Sequence, residues 1–288
     1  MECNILDNHQ NINKDSNIMT PGVHDISIDQ YHSGPGISRS GIQIFRRSPL
    51  HYWHNYLRPN IEKEPEPEII TKKNALGFGN AFHTYVLEKD QFEKRYMVAE
   101  KHNRTTTVGK KAHAEMLQLK GNKQLLCSET FEEIKLMSAQ IDSSPTGSGL
   151  IAGALYEKSL FWTDKDTGLL CKVRPDIWHK NMVVDLKTCC DASPKEFKRS
   201  VFSYGYYMQA AMIHEALYAL YDINMMDFIF LAIEKDPPYA VAIYQLDELT
   251  IQRGVEDFKE TLWDMKECFE TNFFPSYPDS IVDLPSYF

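Results

Sequence analysis

The stretch CKVRPDIWHKNMVVDLK, residues 171–187, reads as two short strands joined by a tight turn. Met182, Val183 and Val184 form the apolar centre of the second strand, and a continuous run of this kind suits a strand buried on both faces. His179-Lys180-Asn181 supplies the turn, and Arg174-Pro175-Asp176 ends or kinks the strand before it. Asp185 and Lys187 are two residues apart, so on a strand they point to the same face. Taken alone, such a triplet is explained by a salt bridge where the strand emerges into water. Asp176 changes that reading, because a hairpin would carry it back beside Asp185. Two carboxylates held close repel each other unless a cation lies between them. Oxygen donors suit Mg2+, with Mn2+ as a substitute. Lys187 beside such an ion is placed to orient a water and to offset charge developing on a phosphate.

Outward from this hairpin the pattern stays regular. Upstream, Ser159–Thr163 and Leu169–Val173 read as strands flanking the turn Asp164–Gly168. Downstream, Ser193-Pro194-Lys195-Glu196 starts a helix, and a longer helix runs from about Tyr204 to Tyr221. Two further strands are expected at Asp227–Glu234 and Ala240–Leu246, before a long helix capped by Asp247 and ending near Asn272. The tail from Phe273, rich in aromatics and prolines, reads as an irregular strap. The N-terminal half is helical in pattern. Ser38 or Ser40 caps one short helix, Pro49 opens another, and Phe78, Phe82, Tyr85 and Val86 share a face of a third that also carries His83. An isolated histidine on such a helix is ordinarily a partly buried residue satisfied by a neighbour. Further helices are expected near 110–120 and 129–141, the second with a Thr130/Glu133 capping box, followed by a break at Ser143–Gly149. Residues 1–30, rich in Asn, Asp and Ser, are expected to be a flexible arm, and residues 31–288 one domain. The fold class is α/β: a mixed central β-sheet flanked by helices, with a helical N-terminal part.

Composition narrows the function classes. The 288 residues carry a formal net charge of −9, which counts against a simple electrostatic DNA binder but not against an enzyme with one basic groove. No apolar run is long enough for a transmembrane helix, and the N-terminal stretch lacks an apolar signal core. A cytoplasmic location without membrane contact is therefore expected. The six cysteines, at 3, 127, 171, 189, 190 and 268, form no CxxC pair and no zinc-ligand or iron–sulfur grouping, so free thiols are expected.

RPD at 174–176 followed by DLK at 185–187 resembles the core of the PD-(D/E)xK nuclease superfamily. The wider pattern is similar to the RecE-type 5′–3′ exonucleases of phages and prophages (exonuclease VIII), and more distantly to lambda exonuclease. The matching pieces are GISRSGIQIFRRSPLHYW at 36–53, GFGNAFHTYVLE at 77–88, EKSLFW at 157–162, GLLCKVRPD at 168–176, VVDLKT at 183–188 and YGYYMQAAMI at 204–213, in the family's order. The resemblance implies that Asp176 and Asp185 bind metal and Lys187 is the catalytic lysine. It also implies that His83 is a further ligand, which reverses its ordinary reading, and that the main-chain carbonyl of Leu186 is another. Gln209 matches a glutamine on the helix after the core, and it and Tyr207 beside it in the sequence are expected to support the site or touch DNA, which makes Tyr207 a candidate DNA contact. Glu157 reads first as a surface strand-end residue and second as an additional carboxylate near the metal. Arg39, Arg46, Arg47 and Arg174 are candidates for phosphate contacts. The implied activity is Mg2+-dependent 5′–3′ digestion of double-stranded DNA ends, leaving 3′ single-stranded tails for annealing-type recombination. The implied setting is a phage- or prophage-encoded enzyme in a bacterial cell. It would act as a homo-oligomeric ring, a trimer or tetramer, with a RecT-like single-strand annealing protein as partner. The alternatives are another PD-(D/E)xK nuclease, either an endonuclease or Cas4/RecB-like, and an inactive DNA-binding or assembly protein that keeps the fold. The missing cysteine cluster argues against the cluster-bearing branches, and the intact His83, Asp176, Asp185 and Lys187 set argues against lost catalysis.

Overall fold

The structure is a computed structural model in which residues 19–59, 68–100, 102–103, 105–224 and 227–280 are described. The first half is mostly helical. Strand β1 (Gly22–His24) leads into helices α1 (Ile28–Ser33), α2 (Arg39–Arg47) and α3 (Pro49–Tyr52), the last running on as a π-turn at Trp53–Leu57. Then come β2 (Ile69–Ile70), α4 (Ala75–Leu87), α5 (Lys89–Arg95), β3 (Tyr96–Ala99), α6 (Thr107–Leu119), β4 (Gln124–Cys127), α7 (Ser128–Ser143) and α8 (Pro145–Ile151). The second half holds β5 (Leu155–Tyr156), β6 (Ser159–Thr163), β7 (Leu170–Val173), β8 (Ile177–His179), β9 (Met182–Cys189), α9 (Pro194–Ser203), α10 (Tyr206–Tyr221), β10 (Asp227–Glu234), β11 (Val241–Gln245) and α11 (Glu248–Thr271). Among the described residues no helix is long and apolar enough to cross a membrane.

A mixed five-stranded sheet in the order β11-β10-β9-β8-β5 forms the centre. β9 runs parallel to β10, with Asp185 opposite Phe230, and antiparallel to β8, with Val184 opposite Ile177. Successive β9 side chains alternate between two helical layers, which accounts for its run of buried residues. Val184 and Leu186 join Leu231 and Ile233 in a core with Phe78 and Phe82 of α4 and Ile134 and Met137 of α7. Val183 joins Phe230 and Ala232 in a second core with Phe197 of α9, Met208 and Met212 of α10, and Phe258 and Leu262 of α11. Asp185 and Lys187 share the face of Val183, so they point toward the α10 layer.

Several expectations are corrected. The Ser159–Val173 hairpin forms, but it belongs to a separate antiparallel sheet of order β1-β6-β7, and Arg174-Pro175-Asp176 is the corner where the chain passes from that sheet into β8. Of the expected arm, residues 1–18 lie outside the described residues, whereas β1 pairs with β6 and α1 begins with a capping box between Ser27 and Gln30. A parallel three-stranded sheet, β2-β4-β3, went unseen in the sequence. The Thr130 capping box is absent: α7 already starts at Ser128 and Thr130 is buried within it. The break at 143–149 contains α8, capped by the Ser144 side chain on the Gly147 N–H. Ser193 sits at the N-cap of α9 without using its side chain, and its own N–H donates to Asp191 instead (2.7 Å). The described part of the tail has no regular structure and lies against the body. There the Leu50 N–H donates to the Pro275 carbonyl (3.0 Å) and Arg47 Nε donates to the Tyr277 hydroxyl (3.1 Å).

Candidate functional site

The antiparallel β8–β9 pairing stops at Ile177 and Val184, and Asp176 is the next residue out on β8. There the Asp176 side chain continues the ladder: its Oδ2 accepts the Leu186 N–H at 2.8 Å. The N–H and C=O of one strand residue project to the same edge, so the Leu186 carbonyl also points past the end of β8 toward this spot. Pro175 cannot donate to a ladder and holds its φ, which suits the corner that presents Asp176.

Two elements close on Asp176. From α4, on one side of the sheet, comes His83, whose Nδ1 lies 3.6 Å from Asp176 Oδ2 and 3.8 Å from Glu157 Oε1. From the connection between β5 and β6 comes Glu157, whose N–H donates to the Asp176 carbonyl (3.1 Å). Ligand atoms of His83, Glu157 and Asp176 all lie within 4.8 Å of one another, the one such group among the described residues able to hold a metal ion. Glu157 adopts φ 51, in the left-handed region that a non-glycine residue enters at a cost. Arg174 holds it there: Nε donates to Glu157 Oε2 (2.8 Å), while Nη1 donates to Ser159 Oγ (2.6 Å) and the Ile26 carbonyl (3.0 Å).

On the other face, Asp185 is fully buried and tied to α10. Gln209 Nε2 donates to Asp185 Oδ1 (2.6 Å), and Lys187 Nζ donates to Gln209 Oε1 (3.4 Å) while ion-pairing with Asp185 Oδ2. That same Oδ2 accepts no well-formed hydrogen bond despite its burial. Its partner is the Lys187 ammonium, and a carboxylate oxygen has lone pairs for a further cation. The Lys187 ammonium also lies over the Tyr206 ring, 4.9 Å from its centroid.

The charges are mutually dependent. Burial, and then repulsion from Asp185, push the Asp176 carboxyl up from 3.8 to about 7. Burial pulls the His83 imidazole down, but the carboxylates of Asp176 and Glu157 outweigh it and hold its pKa up at about 9. Burial likewise opposes the Lys187 charge, and Asp185 and Asp176 overcome it, so that pKa is raised. Burial pushes the Glu157 carboxyl up, but the neighbouring His83 and Arg174 charges outweigh it, so its pKa is lowered. The donor set of carboxylates, one imidazole and one strand carbonyl fits a hard divalent ion such as Mg2+ or Mn2+. Positive charge at this place would offset the repulsion between the Asp176 and Asp185 carboxylates and take the place of the protons on Asp176 and His83.

The structure thus gathers His83, Asp176, Asp185, Leu186, Lys187 and Gln209 in one place and adds Glu157, whose sequence position reads mainly as a surface strand end. Its one legible signal was its place at the head of EKSLFW. Two expectations are corrected. Arg174 is only 5% exposed in its side chain and is occupied by Glu157, Ser159 and Ile26, so it is no phosphate contact. The Tyr207 hydroxyl turns away to donate to Asp257 of α11 (2.6 Å), and its neighbour Tyr206 is the ring beside Lys187. Of the other arginines, Arg46 pairs with Asp257 (3.1 Å), Arg47 meets Tyr277, and Arg39 donates to Gln43 (2.6 Å) and to the Tyr204 carbonyl (3.1 Å).

The sequence matches the profile of a family described as "PDDEXK-like domain of unknown function" over residues 38–282. No curated protein matches the chain. Among solved structures, a chain from Eubacterium rectale described as a "Putative exonuclease" superposes with a TM-score of 0.58 at 16% identity, covering 89% of this chain and 97% of its own. That likeness concerns the fold. A second, "SSO0001", gives a TM-score of 0.28 at 18% identity over 69% of this chain and 96% of its own, and carries no argument.

Proposed function

The chain belongs to this PDDEXK-like family, and from that premise we propose that it is a metal-dependent deoxyribonuclease that degrades double-stranded DNA from its ends. The observation that carries the reading is the juxtaposition of His83, Glu157 and Asp176 with the Asp185–Lys187–Gln209 chain where β8 ends beside β9. Residues that would hold the ion are His83, Glu157, Asp176, Asp185 and the Leu186 carbonyl. When bound there, Mg2+ or Mn2+ supplies Lewis acidity to a phosphodiester and lowers the pKa of a water.

The chain's own residues do the rest. Lys187 keeps its proton, because burial is outweighed by Asp185 and Asp176, and so stands as a fixed positive charge toward the scissile phosphate. Gln209 spans Asp185 and Lys187 and fixes the direction of both. Arg174 and Ser159 hold Glu157 from behind. Arg39 and Arg47 remain candidates for phosphate contacts along the approach, and Arg46, already paired with Asp257, is a weaker one. Digestion in the 5′–3′ direction, a trimeric or tetrameric ring, a RecT-like annealing partner and a phage or prophage setting follow from the RecE-type resemblance. They form the finer part of this proposal.

The test offers linear and closed circular duplex DNA with Mg2+ or with EDTA. Release of nucleotides from the linear duplex only, and only with metal, is expected. Cutting of closed circles would replace the exonuclease by an endonuclease. No cleavage with any divalent ion would leave a DNA-binding protein that has kept the fold.

A further inference from the structure

Beside Lys187 the chain makes an aromatic step toward solvent. Gly205 separates α9 from α10 with φ +66, a conformation that L side chains rarely adopt. The reversal turns its two neighbours to different fates. Tyr206 goes inward and receives the Lys187 ammonium on its face at 4.9 Å. Tyr204 goes outward and is 55% exposed, with its ring 5.7 Å from that of Tyr206 at an interplanar angle of 36°.

The exposed ring is not on a loose segment. The Tyr204 N–H donates to the Ser200 carbonyl (2.9 Å), and its carbonyl accepts from Arg39 Nη1 (3.1 Å), whose guanidinium is itself fixed by Gln43 (2.6 Å). A large aromatic face is thus held open to water on a pinned backbone, with Arg39 bound to its carbonyl and Tyr206, the ring that carries Lys187, as its aromatic neighbour.

We propose that Tyr204 is a stacking platform for an unpaired nucleobase of the strand whose phosphate is held at Lys187. The inference rests on the nuclease reading and names the part of the substrate that reading leaves unplaced. Every base has a π face, so stacking tolerates any sequence, as an enzyme digesting DNA progressively requires. Bases inside a duplex stack on their neighbours, so the ring selects a frayed end or a single strand. Arg39 supplies positive charge for the flanking backbone.

The test measures binding separately from cleavage. With Ca2+ in place of Mg2+, a labelled oligothymidylate of about ten nucleotides and an abasic oligomer of equal length are titrated against the full chain. The wild type is expected to bind the base-bearing oligomer about tenfold more tightly, the size of roughly one stacked base. Tyr204→Phe should keep that ratio and Tyr204→Ala should bring it to about one, with unchanged thermal unfolding because the ring is exposed. A Tyr204→Ala variant that keeps the wild-type preference, or a wild type that shows none, overturns the platform. Cleavage of linear duplex in Mg2+ is scored in parallel. A preference without cleavage refutes the nuclease reading and leaves the platform standing, whereas cleavage without a preference does the reverse.

Discussion

At the residue scale, the protons on His83 and Asp176 decide how the site behaves. Asp176, raised from 3.8 to about 7, and His83, raised from 6.5 to about 9, both hold protons more tightly when folded than when unfolded. Each therefore stabilises the metal-free fold at low pH, and that contribution is lost as pH rises, through about 7 for Asp176 and about 9 for His83. Glu157, lowered from 4.5, acts with the opposite sign, and its contribution is lost as pH falls. A divalent ion must displace the His83 and Asp176 protons, since ligands bind metal deprotonated. Mn2+ affinity measured by calorimetry should therefore tighten steadily from pH 6 to pH 9, with proton release on binding. In His83→Ala the slope above pH 7 should flatten, and a pH-independent affinity in the wild type would contradict the assignment. The strained Glu157 belongs to the same picture, since Arg174 is spent on holding a carboxylate in an unfavourable backbone conformation beside the other ligands.

At the element scale, the site depends on how closely α10 lies against α11, because α10 carries Tyr206 and Gln209. Gly254 of α11 permits that approach: a Cβ there would stand 2.7 Å from the Tyr207 carbonyl and 2.9 Å from the Ala211 Cβ. Next to it, buried Asp257 gathers the Tyr207 hydroxyl, Arg46 of α2 and Arg253 (2.8 Å), which ties three helices together. Gly254→Ala must push the helices apart, and overpacking of this kind costs about 1–3 kcal/mol. Chemical denaturation should show that loss, and kcat should fall as Gln209 is displaced. An unchanged midpoint would mean that the helices have slack. Elements of this size were legible from the sequence. Asp227–Glu234 and the helix capped by Asp247 appear at the residues expected, because long apolar periods and a good cap leave little choice. The strands of the β2-β4-β3 sheet were not, because runs of two to four residues carry no period and are fixed only by their partners.

At the scale of the whole molecule, function sits where separate stretches of chain meet. The sequence shows Asp185 and Lys187 on one face of a strand and Asp176 one turn away, which follows from β geometry alone. His83 and Gln209 could be placed only by resemblance, since nothing local joins a helix at residue 83 to a strand at 185. Glu157 was hidden for a further reason: its role comes from a left-handed backbone and a buried arginine, and neither shows in a residue count. The resulting cluster joins α4, the β5–β6 connection, the β7–β8 corner, β9 and α10. The most direct test of the central claim is the rate of nucleotide release from linear duplex DNA in Mg2+ by Asp185→Asn against the wild type, with unfolding of both followed in EDTA. The substitution keeps the shape and the Gln209 contact but removes the charge that positions metal and Lys187. At least a hundredfold slower release is expected, the scale of losing one electrostatic group at a reacting centre, in a protein that folds normally. Wild-type release by Asp185→Asn would contradict the claim.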